Sequence, residues 1–288
     1  MKYYNHSMGV FLAGDMVRIF YQGWIPPRPK GVLVISHGLG EHSGRYTNLI
    51  EALEGKGISI YALDHRGHGK SGGKRGHVDS YMKYIGDLKQ LLEDVIAKEN
   101  RNLPVILLGH SMGGLIAMKY ALIHPGDIDD LILSAPALIP AVPVPPAKKI
   151  LGRMLSRMFP RLTLNNELDP SDISTDLDVV RAYRDDPLVH DRVSARWFTE
   201  FIDTGSDCLK RASELKMPLL IIHGAGDRMV STRSSKIVYE RASSPDKQIQ
   251  FFEGLFHETM NEEIESRKKV LRLLRDWIVA KAAAKGKK

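Results

Sequence analysis

Cysteine is nearly absent from this 288-residue sequence. The single Cys208 excludes an intramolecular disulfide, so no oxidising compartment is indicated, and a structural thiol is the expected role. The most membrane-like stretch, 131–147, carries Pro136, Pro140, Pro143, Pro145 and Pro146, which a spanning helix does not tolerate. An apolar run at 8–13 is short and no small-residue cleavage pattern follows it, so a secretory signal is not expected. Neither sign of charge dominates, with 41 Lys and Arg against 34 Asp and Glu. The net charge is +7, and Lys281, Lys285, Lys287 and Lys288 lie in a C-terminal tail expected to fray. The remaining charge is too diffuse for a nucleic-acid footprint, and no nucleic-acid motif accompanies it. These absences predict a soluble, cytoplasmic protein. A weak attraction to anionic membrane surfaces stays open.

What is present is an alternation of short apolar runs with amphipathic stretches. Strands are expected at 31–36, 58–63, 104–108, 131–135, 219–223 and 248–252. Helices are expected at 46–56, 81–100, 112–124, 231–242 and 263–285. This rhythm predicts an α/β fold with a mostly parallel sheet covered on both faces. The alternating segment 16–22 is expected to form an antiparallel edge. The rhythm breaks between Pro136 and about residue 216, where prolines and amphipathic pieces replace core strands. The expectation is a core domain of 1–136 and 217–288, with an inserted helical cap at 137–216.

The strongest chemical signal is Gly109-His110-Ser111-Met112-Gly113, between an apolar strand and a helix rich in small residues. That context suits a nucleophile elbow, which exposes the Ser111 hydroxyl beside a helix N-terminus. A serine needs a base. In this architecture the acid and the histidine follow later in the chain. Leu219 to His223 runs through a glycine turn into Asp227, and the strand at 248–252 leads through Gly254 to His257. Ser111, Asp227 and His257 are therefore the expected triad, with Asp203 and His223 as the poorer alternatives. His37-Gly38-Leu39-Gly40 ends the first buried strand and suits an oxyanion hole built from the Leu39 and Met112 N–H groups. His37 itself reads as a packing residue. The pair His65 and His68 has too few neighbouring ligands for a metal site, and the nearby glycines lack the Walker spacing, so neither metal nor cofactor is expected.

With these residues in view, the chain resembles the monoacylglycerol lipases and the lysophospholipase-like serine hydrolases of the α/β-hydrolase superfamily. The shared text is His37-Gly38-Leu39-Gly40-Glu41-His42-Ser43-Gly44-Arg45-Tyr46, Asp64-His65-Arg66-Gly67-His68-Gly69, the elbow at 109–114, Tyr183-Arg184-Asp185-Asp186-Pro187-Leu188, and Gly226-Asp227-Arg228. The resemblance covers nearly the whole chain. It implies an α/β-hydrolase fold and hydrolysis of fatty-acyl esters of glycerol through an acyl-enzyme. It also implies Glu41, Arg45, His110 and Tyr183 as glycerol-binding residues. Each has a plain alternative: a surface carboxylate, a salt-bridge arginine, a packed elbow residue and a cap-core tyrosine. Cys208 falls on no matching motif, so sensitivity to thiol reagents is not implied. Lysophospholipase, carboxylesterase, perhydrolase and proline-type aminopeptidase activities share the triad, and a ligand-binding protein on a hydrolase scaffold is a further class.

The segment 148–159 places Ile150, Leu151, Met154, Leu155, Met158 and Phe159 on one helical face and Lys148, Lys149, Arg153 and Arg157 on the other. Two roles fit it: a transient contact with a membrane surface, or packing of the apolar face on the main domain. Oligomeric state is not legible.

Overall fold

In the segment Gly31–Ser36, Val32 and Val34 join one core while Leu33 and Ile35 join another on the opposite side. The same two-residue period divides Leu107 from Ile106 and Leu108, and Ile221 from Leu220 and Ile222. Strands buried on both faces need parallel neighbours and helices above and below. The computed structural model describes residues 2–100 and 102–285 and has this arrangement.

The strands are β1 (Asn5–Leu12), β2 (Arg18–Ile25), β3 (Gly31–Ser36), β4 (Ile58–Leu63), β5 (Val105–His110), β6 (Asp130–Ser134), β7 (Thr163–Asn165), β8 (Arg192–Ser194), β9 (Leu219–Gly224) and β10 (Lys247–Phe252). The helices are α1 (Thr47–Ala52), α2 (Met82–Gln90), α3 (Ala97–Glu99), α4 (Met112–Ile123), α5 (Pro146–Met158), α6 (Leu177–Asp185), α7 (Ala195–Lys210), α8 (Thr232–Arg241) and α9 (Ile264–Lys285). A π-helical stretch, Leu91–Ile96, joins α2 to α3. The main sheet has eight strands in the order β1-β2-β4-β3-β5-β6-β9-β10. The pairs β1–β2 and β2–β4 are antiparallel, and every other pair in the sheet is parallel. This is the architecture of an α/β-hydrolase. One core packs under α2 and α4, the other under α1 and α9, where Val270, Leu274, Ile278 and Ala282 repeat every fourth residue.

Two expectations change. The antiparallel strand extends to Ile25 and is second from the edge, because β1 pairs outside it. The expected fraying of the tail does not apply to Lys281, which lies in α9, ion-paired with Asp246 and stacked over Trp277. Lys287 and Lys288 lie outside the described residues. Among the described residues no segment between β6 and β9 joins the main sheet, and β7 pairs with β8. Within this insertion α7 contacts both α5 and α4. Cys208 on α7 is fully buried in the core, and burial pushes its thiol up to about 12, so it stays protonated. Among the described residues no helix is long and apolar enough to cross a membrane.

Candidate active site

Ser111 lies between β5 and α4 with φ 53 and ψ −119. A non-glycine residue in this region carries strain of about 1–3 kcal/mol. The strain is held by neighbours: Ser111 N–H donates to the Ser134 carbonyl, and its own carbonyl accepts from Gly114, Leu115 and Ala137. Gly113 makes the turn possible, since a Cβ there would lie 2.0 Å from the Ser36 carbonyl oxygen.

The loop after β3 crosses directly over this turn. A Cβ on Gly38 would lie 3.2 Å from the Ser111 Cβ. His37 fixes the start of the loop. Its Nε2 accepts from the His65 N–H at 2.8 Å, so its Nδ1 carries the proton and donates to the Gly38 carbonyl at 2.8 Å. Burial pushes its pKa down to about 4, which keeps the ring neutral. His65 and His68 are likewise held neutral by burial, bonded to the Ser36 hydroxyl and the Arg66 carbonyl. Among the described residues no group of three or more His, Cys, Asp or Glu side chains could hold a metal ion.

Asp227 follows β9, and His257 follows β10. The His257 Nδ1–H donates to Asp227 Oδ2 at 2.7 Å. His223 Nε2 donates to the same oxygen at 3.0 Å, and the Met229 and Val230 N–H groups donate to Oδ1 at 2.8 and 2.9 Å. Burial alone would raise the Asp227 pKa, but the charge and hydrogen bond of His257, with those of His223, hold it far below the usual carboxylate range. His257 shows the converse. Burial would lower its pKa, and Asp227, Glu258 and Glu41 together raise it. His223 is fully buried between Ser235 and Asp227 and so supports the acid. Asp203 is exposed, paired with Arg153 at 3.0 Å.

Ser111, His257, Leu39 and Met112 line one cavity of about 380 Å³. The insertion contributes apolar lining from Val144, Val193, Trp197, Phe198 and Phe201, and polar lining from Lys148, Asn166, Glu167, Asp169 and Asp172. The size lies in the range of small-molecule sites. A second cavity of about 270 Å³ shares Asn166, Leu168 and Met229 with the first and is lined also by Tyr183, His190 and Asp191. Glu41, Arg45 and His110 are not in the lining of either cavity. Glu41 accepts from Gly38 N–H at 2.5 Å and from the Tyr46 hydroxyl at 2.9 Å. Arg45 lies against Glu41 and over the Tyr183 ring, 4.6 Å from its centre. His110 bonds the Ser134 hydroxyl at 3.2 Å, and its ring is tilted against that of His257 with the centres 4.8 Å apart; burial, then the neighbouring His257, pushes its pKa down to about 4.

Two residues of the site were missed by sequence reasoning. Glu258 pairs with Arg45 at 2.5 Å. Glu262 is fully buried and accepts from Phe256 N–H, Thr175 N–H and the Ser174 hydroxyl, which fastens the His257 loop to the insertion. A signal lay in Glu258-Thr259-Met260-Asn261-Glu262-Glu263, where acidic residues directly follow the histidine.

A family model described as serine aminopeptidase, S33, matches residues 27–264. The chain is 38% identical over 266 residues to the monoacylglycerol lipase of Mycolicibacterium smegmatis, an alignment covering 92% of this chain and 94% of that one. It is 31% identical over 271 residues to the monoglyceride lipase of Homo sapiens, covering 93% and 89%. The crystal structure of Paleococcus ferrophilus monoacylglycerol lipase matches with a TM-score of 0.84 and 35% identity, covering 91% of this chain and 99% of that one. The chain belongs to this family of monoacylglycerol lipase-like serine hydrolases within the α/β-hydrolase superfamily.

Proposed function

We propose that this protein is a monoacylglycerol lipase in which Ser111 is the nucleophile, His257 the general base and Asp227 the orienting acid. The observation that carries the reading is the 2.7 Å bond from His257 Nδ1–H to a deeply buried, ionised Asp227, at the wall of the cavity that Ser111 also lines. That bond fixes the His257 tautomer with a bare Nε2. His257 Nε2 takes the Ser111 proton as Oγ attacks the ester carbonyl carbon. The Leu39 and Met112 N–H groups receive the oxyanion, each worth about 3 kcal/mol in the transition state. The imidazolium then protonates the departing glycerol oxygen, which leaves an acyl-serine. Water repeats the sequence with His257 again as base, releases the fatty acid and restores Ser111.

Residues 137–216 form the cap in this reading, and its apolar lining receives the acyl chain. The relatives' activity and the apolar cavity support a fatty-acyl ester. The glycerol head lies toward Tyr183, with Glu41, Arg45 and His110 behind it.

The cap helix α5 serves as a contact for lipid surfaces. It packs on α7 through its small residues: Gly152 faces the Phe198 ring, and the Ser156 hydroxyl bonds Thr199 at 2.9 Å. Its apolar side faces outward, with Ile150 62% and Met158 66% exposed. Leu151, Met154 and Phe159 are exposed as well, and Leu155 is half-buried. Five exposed apolar side chains gathered on one short helix mark an interaction surface. The protein would then act in the cytoplasm with peripheral contact at the membrane.

The test is a hydrolysis panel of mono-, di- and triacylglycerols, lysophospholipids, aryl esters and a proline-terminated peptide amide, with fluorophosphonate labelling. Long-chain monoacylglycerols should be turned over fastest, and Ser111→Ala should abolish labelling. Preference for lysophospholipid or for the peptide would replace the substrate assignment. Labelling that survives in Ser111→Ala would replace the nucleophile.

A further inference from the structure

Ester hydrolysis at Ser111 requires two distant loops to keep their spacing. One follows β3 and carries Leu39. The other follows β10 and carries His257. A buried chain of charges joins them. Gly38 N–H donates to Glu41 Oε1 at 2.5 Å. Glu41 Oε2 faces Arg45 Nε at 3.3 Å. Arg45 Nη2 donates to Glu258 Oε2 at 2.5 Å, and Asn261 Nδ2 donates to the same oxygen at 2.9 Å. Glu258 N–H in turn donates to the Ile173 carbonyl of the insertion at 2.7 Å. Glu41 and Glu258 are 4% and 5% exposed.

Charge matching alone does not explain the arrangement. One guanidinium serves two carboxylates, so the group as a whole is anionic. Leaving a buried carboxylate short of a counter-ion is costly. A neutral glutamine at 258 would satisfy Arg45 more cheaply. The excess charge faces His257. The groups around that ring are Asp227 from the loop after β9, Glu41 from the loop after β3, Glu258 from its own loop, and His110 from the end of β5, held neutral by burial.

We propose that Glu258, acting through Arg45 and Glu41, is a positioning residue for ester hydrolysis: it ties the His257 loop to the oxyanion loop and supplies a second negative charge, beside Asp227, toward the histidine as it becomes an imidazolium. The proposal rests on the roles of Ser111, His257 and Leu39 given above. Arg45 is in this view a strut between loops. Its positive charge is already enclosed by carboxylates before any substrate arrives.

The experiment is a pH–rate profile of E258Q and E258D on a soluble aryl ester, with thermal melting of both. Glutamine keeps the volume and removes the charge. E258Q should lower kcat on the order of tenfold to a hundredfold, the range for losing a charged hydrogen bond. The acidic limb of its kcat/KM profile should move to lower pH, because the free enzyme's histidine loses a charge that favoured its protonation. KM should change little. E258D retains the charge on a shorter arm, so its acidic limb should stay in place while kcat falls. A folded E258Q with an unmoved limb overturns the proposal. If E258Q does not fold, E258D decides: wild-type kcat with E258D overturns the tie. Fluorophosphonate labelling of the wild type at Ser111 checks the underlying reading separately. A labelled wild type with an unmoved E258Q limb sinks only the role of Glu258, whereas an unlabelled wild type sinks the reading beneath it.

Discussion

Replacing Asp227 by asparagine separates the catalytic role of this carboxylate from its structural one. Asp227 accepts four hydrogen bonds, two at each oxygen. The Met229 and Val230 N–H groups can only donate. They will therefore hold the amide oxygen of the new asparagine on their side and turn its NH₂ toward the histidines. Both histidines can answer by changing tautomer. His223 then donates from Nδ1 to the Ser235 hydroxyl, already 2.7 Å away, and accepts at Nε2. His257 accepts at Nδ1, which places its proton on Nε2, where the bare lone pair was needed. Every bond is kept in form, so the stability cost is only about 1–3 kcal/mol. The base is lost. kcat should fall by roughly 10⁴-fold, about 5.4 kcal/mol of transition-state stabilisation. The assay is kcat on an aryl ester with a variant whose circular dichroism and melt are native-like. Asp203→Asn is the control, since Asp203 is exposed and pairs only with Arg153; it should stay within about twofold. A folded Asp227→Asn with less than about tenfold loss would refute the acid assignment.

Other outcomes follow from the same contacts. Met154→Asp should weaken vesicle binding and slow long-chain monoacylglycerol turnover while sparing soluble esters; equal loss on both substrate types would remove the lipid-surface role of α5. Tyr183→Phe should cost about 1–2 kcal/mol more on monoacylglycerol than on an aryl ester, and equal losses would make the hydroxyl structural. Gly113→Ala should fail to fold, because the new methyl meets the Ser36 carbonyl oxygen at 2.0 Å; a soluble, active variant would contradict the tight elbow. Burial holds His37, His110 and His190 down at about 4, against an ordinary 6.5. The unfolded chain therefore binds these protons first. Stability should be fully present above about pH 6.5 and fall toward about pH 4, by up to about 1.4 kcal/mol per pH unit for each histidine. His257, with its raised pKa, opposes this. A melting temperature that is flat from about pH 7 to about pH 5 would count against the buried neutral cluster.

The strands β3, β5 and β9, which lead to Leu39, Ser111 and Asp227, were legible because each is apolar on both faces and stops at a glycine or a polar residue, whereas β10, which leads to His257, carries Lys247, Gln248 and Gln250 and is only half-buried. Gly31–Ser36 and Ile58–Leu63 fall where the pattern puts them. Strand β1 was not legible. Its sequence, Asn5 to Leu12, is exposed on nearly every residue, so no periodicity records it. It exists because β2 offers a free hydrogen-bonding edge, and that edge is set by the fold. The α5 helix shows a different limit. Its two faces could be read, but not which one turns inward. The answer depends on α7, which offers a phenyl ring at 198 and a hydroxyl at 199 and so accepts Gly152 and Ser156. Apolar side chains facing solvent are then what remains, and Leu155 is a poor reporter of that face because it is half-buried.

The polar end of the site shows why a residue's chemistry cannot be assigned from its motif alone. Glu41 and Arg45 stand four apart, and that spacing brings carboxylate and guanidinium together on one turn. Their other partners lie far off: Glu258 is 213 residues from Arg45, and Glu262 reaches 87 residues back to Thr175. No local pattern encodes such pairs; the first forms where the loops after β3 and β10 meet at one edge of the sheet, and the second where the loop after β10 meets the insertion. Once formed, they alter the meaning of a substitution. Arg45→Ala would remove a proposed glycerol contact and at the same moment leave Glu41 and Glu258 as unpaired buried carboxylates, a change of about 3–5 kcal/mol for a broken buried pair. Loss of activity in that variant therefore reports on loop placement before it reports on head-group recognition. Only Tyr183, which borders the second cavity and carries none of this charge, can be changed to ask about the glycerol alone.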